Sequence, residues 1–412
     1  MNYAAGWALG ASVTLMALGL SIIAPALPLF GRTFGVGAAL VGSLVSVYAL
    51  GRLVLDVPAG YLVDRVGRRP VLLTSAAVVV VAATLAGTAG SFAQLVVWRF
   101  LQGMGAGLFT TAAMVAMADL GGPIHRGRAL SIFSGAFLIG SSLGPGVGGI
   151  VTAHWGPRAP FIAYAGLAAL CLGWVYLQVP ETVPARTRSP EHDAPEAVVR
   201  PIPYLDFALV GVVTFALFFT RAGGRATILP LFAYNQLGAT ATQVGMLLSS
   251  LAIMNMIVLY PTGALTDRFG RKVAIVPSIF LMALAFALMS RASTFSGLLA
   301  GTVLLGVGSG VGGPAPAAYV ADLGPPERVG AAMGVYRAIG DLGFFVGPMV
   351  MGWVADTFGY PTALAGVAGL LTAAVVPFAV FAKEHREAPG TPPEQRTLAG
   401  HRPEAAASAA DE

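Results

Sequence analysis

Twelve times along this chain an apolar stretch recurs that is long enough to cross a lipid bilayer. A membrane helix needs about 20 mostly apolar residues, because a rise of ~1.5 Å per residue must cover ~30 Å of hydrocarbon. Such stretches run over residues 5–30, 39–61, 70–90, 93–118, 128–152 and 160–179, and then over 206–233, 241–264, 273–290, 294–320, 329–354 and 361–382. Little is left with which to face water, since only 10% of the 412 residues are charged, against about 25% in soluble domains. The bilayer is therefore the main solvent. The expected fold class is an all-α membrane protein of twelve transmembrane helices in two six-helix bundles. The 53 glycines agree with this, because small residues let membrane helices approach closely.

The polar intervals set the organisation. An N-terminal bundle is expected over 1–180, a linker over 181–204, a C-terminal bundle over 205–382, and a polar, disordered tail over 383–412. Met1 to Trp7 carry no Lys or Arg, so no cleavable signal peptide is expected. If the first span runs outward, 16 of the 24 Lys and Arg fall on the cytoplasmic side. Only Arg32, Arg158 and Arg291 fall on the other side, and five lie within spans. This asymmetry puts both termini and the linker in the cytoplasm, in a cell inner membrane. It also accounts for the net charge of +5 without nucleic acid as a partner. The single cysteine, Cys171, lies in an apolar run and excludes an internal disulfide.

The two bundles repeat one another at a constant offset of 203 residues. Gly60-Tyr-Leu-Val-Asp64-Arg65-Val-Gly67-Arg68-Arg69 matches Gly263-Ala-Leu-Thr-Asp267-Arg268-Phe-Gly270-Arg271-Lys272. Asp119-Leu120-Gly121 matches Asp322-Leu323-Gly324, and Gly140, Gly144 and Pro145 match Gly343, Gly347 and Pro348. Two similar halves of one orientation place a shared cavity between them at mid-membrane, which is the architecture of a transporter.

These motifs resemble the major facilitator superfamily, specifically its twelve-helix drug:proton antiporter branch, over about residues 5–382. Gly60 to Arg69 is similar to that family's loop between the second and third helices. By resemblance, Asp64 would meet the start of the eleventh helix, and Arg68 would pair with Asp119 at the end of the fourth. On physical grounds a carboxylate near a helix N-terminus contributes about 0.3–1 kcal/mol, and Gly60 is expected to end the helix where backbones must approach closely. Gly60, Asp64, Arg65, Gly67, Arg68 and Asp119, with Asp267, Arg268, Arg271 and Asp322 in the second half, are thus candidates for a conformational latch. The alternative is a plain positive-inside anchor. Trp98-Arg99-Phe-Leu-Gln102-Gly103 resembles the motif whose buried arginine is associated with proton coupling. Gly140, Gly144, Pro145, Gly148 and Gly149 resemble the fifth-helix motif of exporters, although Ser131 stands where its early glycine is expected. Tight packing alone would also explain those glycines.

Seven charges lie inside the spans: Arg52, Asp56, Arg99, Arg221, Arg225, Arg337 and Asp341. Each costs at least about 2.5–3.5 kcal/mol near the bilayer centre and is a functional candidate by default. The i,i+4 spacing allows Arg52 to pair with Asp56 and Arg337 with Asp341. Arg221 and Arg225 share that spacing but repel, so they need an anion or water and could line a substrate cavity. Asp341, about halfway along its span, is the expected proton carrier, with Arg337 and Arg99 tuning it and Arg52 and Asp56 as further coupling candidates. A structural Arg337–Asp341 bridge is the competing reading. The first span carries no acid, unlike many drug exporters of this branch.

The expected function is therefore secondary active transport by alternating access, driven by a proton gradient with no bound cofactor. The expectation is a monomer that exports small drug-like or metabolite molecules. Proton-coupled uptake or facilitated passage of a sugar or other metabolite is the alternative, and a receptor or scaffold a remoter one. No enzyme chemistry is visible. Two G-x-G-x-x-G runs, Gly144–Gly149 and Gly308–Gly313, lie in apolar helices rather than after strands. The five His fall in loops or tails, with no metal-ligand spacing.

Overall fold

The computed structural model describes residues 3–182, 203–312, 315–323 and 329–384. Most of the expected linker and tail lies outside them, as do the side chains of Asp56, Asp267 and Arg268. No strand occurs among the described residues, and twelve helices are long and apolar enough to cross a membrane. The buried apolar residues form two clusters, one drawn almost wholly from residues 8–179 and one from 210–382. The exceptions interlock the halves: Ala38 and Val41 belong to the second cluster, and Ala222 to the first.

Three helices depart from the simplest reading. Phe92–Trp155 is one helical element of 64 residues, not two helices parted by a loop. A straight helix of that length would measure about 96 Å, three times the hydrocarbon thickness, so the chain has to reverse inside it. The packing shows the reversal. Gly103 and Gly107 approach Tyr48 and Arg52 of the second span in that order, while Gly140 and Gly148 approach Thr14 and Ile22 of the first. The spans Phe92–Gly121 and Gly127–Trp155 are the two arms. The first helix, Tyr3–Ile22, stops before Pro25 and restarts as Ala26–Arg32, because proline lacks the N–H that would carry the helix on. At the matching place in the seventh span the ladder widens into a π-helix, Thr220–Ile228, between Tyr204–Phe219 and Leu229–Gln236. Segments of this kind are rare and concentrate at functional sites.

The second helix runs from Ala38 straight through Gly60 to Val66 and ends at Gly67, whose φ of 107° suits glycine alone. Gly60 is therefore not a helix end. A Cβ there would meet nothing within 4 Å, so it marks no close approach in this conformation.

Candidate functional site

Two seams join the halves at the end of the bundle away from the Gly60–Arg69 loop. In one, a Cβ on Gly42 of the second span would lie 2.3 Å from the Pro348 carbonyl oxygen of the eleventh, and one on Gly352 would lie 2.6 Å from that of Ala38. In the other, a Cβ on Gly245 of the eighth span would lie 2.5 Å from the Pro145 carbonyl oxygen of the fifth, and one on Gly149 would lie 2.6 Å from that of Ala241. Every residue of one seam has its partner 203 positions away in the other. Only glycine permits such backbone contact. Pro145 and Gly149 thus face the other half, whereas Gly140, Gly144 and Gly148 pack on the first span, around Thr14, Ser21 and Ile22.

Hydrogen bonds reinforce the same end. The Asp356 carboxylate accepts from the backbone N–H of Ala38 at 2.8 Å and of Ala39 at 2.9 Å, capping the second helix from across the divide. The Ser46 hydroxyl donates to the Phe345 carbonyl at 2.6 Å, and the Tyr234 hydroxyl to the Pro25 carbonyl at 2.6 Å. Toward the loop end no hydrogen bond joins the halves among the described residues. There Asp64 has a side chain 72% exposed and, among the described residues, bridges to Arg68 at 3.1 Å; the side chains at the start of the eleventh helix lie outside them.

The loop-end clusters hold each half together instead. Arg68, nearly buried, bonds through Nε to Asp119 at 2.9 Å, and the equivalent Arg271 bonds to Asp322 at 3.1 Å. Glu181 accepts from the backbone N–H of Arg68 at 2.9 Å and of Arg69 at 3.2 Å. Its counterpart 203 residues on, Glu384, accepts from those of Arg271 and Lys272 at 2.7 and 2.9 Å. Glu181, Glu384, Asp356 and the glycines Gly42 and Gly245 were all missed by motif reading. The constant offset was the signal that could have found the two glutamates and the two glycines.

The intramembrane charges separate into three groups. Arg99 is buried, bonds to Gln102, donates to the Leu44 carbonyl at 3.4 Å and stacks on Tyr48 at 4.5 Å. All these contacts fall in the first half, and none reaches Arg337 or Asp341. On the eleventh helix, Arg337 and Asp341 occupy the face that continues toward the loop end from Phe345, Pro348 and Gly352, while Gly340, Gly343 and Gly347 face the seventh span. The face that seals at one end therefore lines the interior farther along. No ion pair joins Arg337 to Asp341 among the described residues, and Arg337 is exposed. Nor does Arg52 form an ion pair among them; it lies beside Gly107. Spacing at i,i+4 permits a bridge without compelling one. The third group is Arg221 and Arg225 on the π-helix, close enough to repel, with Arg221 also within electrostatic reach of Arg52 across the divide.

A twelve-span helical bundle whose halves seal at one end, with charged side chains facing the space between them, defines a membrane transporter that works by alternating access. The family profile described as Major Facilitator Superfamily matches residues 9–221 and 212–409, and the chain belongs to that family. It is a transporter and not an enzyme. It is similar to the multidrug resistance protein 1 of Bacillus subtilis, with 26% identity over 82% of this chain and 86% of that protein. Against the class G tetracycline resistance protein of Vibrio anguillarum the identity is 29%, over 82% and 86%. Among solved structures, a D-xylose-proton symporter superposes with a TM-score of 0.75 at 17% identity, covering 92% of this chain and 98% of that one.

Proposed function

We propose that this transporter is a proton-coupled exporter of small molecules in the cytoplasmic membrane. It works as a monomer without a bound cofactor, with both termini and the linker in the cytoplasm. The observation that carries the reading is the placement of Asp341, a carboxylate inside a span, on the helix face whose farther part is the seal. A proton on Asp341 changes the charge of the surface that must open and close, so protonation and conformation are coupled at one face. The multidrug and tetracycline resistance proteins among its relatives support export. One charge crossing 100 mV yields about 2.3 kcal/mol. About 150 mV per proton therefore yields roughly 3.5 kcal/mol, a gradient of some hundreds-fold.

The test is purified protein in proteoliposomes under an imposed pH gradient, with a panel of drugs and metabolites. Substrate should move against the proton flux. Asp341→Asn should lose proton-driven accumulation while retaining exchange of labelled for unlabelled substrate, because only the coupling step is removed. Co-directional movement of substrate and protons would overturn the export direction, and full coupling in Asp341→Asn would overturn the carrier assignment.

A further inference from the structure

Three arginines converge where the two halves face each other. Arg221 and Arg225 project from the π-helix of the seventh span and Arg52 from the second. Arg221 is exposed although it lies deep within the bundle, so the surface it faces is an internal one. The π-helix packs on the second span of the opposite half, and its Ala222 is buried in the first half's core, so that surface faces the space between the halves. None of the three makes a hydrogen bond or ion pair among the described residues. The contrast with Arg99 is instructive, since Arg99 has an amide, a carbonyl and an aromatic ring around its guanidinium.

Unpaired guanidinium groups in a low-dielectric interior are expensive. With Arg221 within reach of both Arg52 and Arg225, and two of the three on a widened helical turn, they form a place whose energy falls sharply when an anion enters. Each guanidinium can grip a carboxylate or similar oxyanion through two parallel N–H donors. Within the spans the sequence carries two acids, Asp56 and Asp341, against five arginines, so the intramembrane charge is positive.

We propose that the substrate is an organic anion, with its acidic group held among Arg52, Arg221 and Arg225. This rests on the transport reading above and names the substrate class for it.

The test is calorimetric binding to detergent-purified protein with probes of one shape and three charges: 2-naphthoate, neutral 2-naphthamide and cationic 2-naphthylmethylammonium. 2-Naphthoate should bind at least about tenfold more tightly than either of the others. The double variant Arg221→Gln/Arg225→Gln should weaken 2-naphthoate at least about tenfold while leaving 2-naphthamide unchanged, and Arg221→Lys/Arg225→Lys should recover part of the loss. Equal or tighter binding of the cation, absence of 2-naphthoate binding, or full binding by the Gln variant overturns the proposal. A Gln variant that elutes as aggregate is replaced by the two single substitutions, each expected to lose part of the affinity. The two readings fail separately. Proton-driven export of cations or neutral compounds with no anion bound removes the substrate class and leaves antiport standing. Anion binding at the arginines without proton-driven movement does the reverse.

Discussion

Removing the Asp356 carboxylate should open the sealed end of the bundle. Asp356 sits on the eleventh helix and caps the second, so its contacts exist only while that end is shut. The bond to Ala38 is partly buried and the bond to Ala39 exposed. A buried charge-assisted bond is worth about 1.5–3 kcal/mol and an exposed one far less. Since Asp356 itself is exposed, a discounted total of about 1 kcal/mol is the appropriate figure. That amounts to roughly a fivefold change in the ratio of sealed to open molecules, so an open population of about 5% would rise to about 20%. Spin labels at Ser91 and Thr294, exposed positions at this end in opposite halves, report the change as a distance distribution in a Cys171→Ala background. Asp356→Ala should enlarge the long-distance population about fourfold, and Asp356→Asn less, because an amide oxygen can still accept one bond. An unchanged distribution in Asp356→Ala, or a shift toward shorter distances, would refute the claim that this cap holds the end closed.

Two further outcomes follow from the packing. Gly42→Val should wedge the seam open, because its Cβ would lie 2.3 Å from a backbone oxygen that cannot rotate away. A strain of about 1–3 kcal/mol is expected, read as modification of a Ser46→Cys thiol by an impermeant reagent that leaves it untouched when Gly42 is present; Gly245→Val should behave alike. At the loop end, Arg68→Ala should lower the melting temperature more than Arg271→Ala, because the Arg68 side chain is 8% exposed against 24% for Arg271. Equal melting shifts for the two variants would show that burial does not set the strength of these bridges.

The spans were legible because hydrophobic length is a property of sequence alone: nothing but a bilayer accommodates twelve such runs. The fine structure was not, and for identifiable reasons. No residue type encodes a π-helix, so Thr220–Ile228 read as ordinary helix. The reversal inside Phe92–Trp155 keeps helical hydrogen bonding where polar residues signalled a loop. Asp356, an exposed acid near a helix end, is indistinguishable from surface until the second helix is placed beneath it. The Arg337–Asp341 spacing described what two side chains on one helix are able to do. Whether they pair depends on what faces them, and that is a tertiary fact.

The twin seams have a mechanical meaning. Glycine contacts 203 residues apart act as two bearings cut to one pattern on either side of the bundle, and a pair of matched bearings allows the halves to tilt about a shared axis while resisting sideways slip. The pattern is broken at one place. The counterpart of Asp356 is Ala153, which has no carboxylate to offer the eighth helix. One bearing therefore carries a carboxylate catch that the other lacks, so loss of Asp356 loosens one side of the bundle before the other.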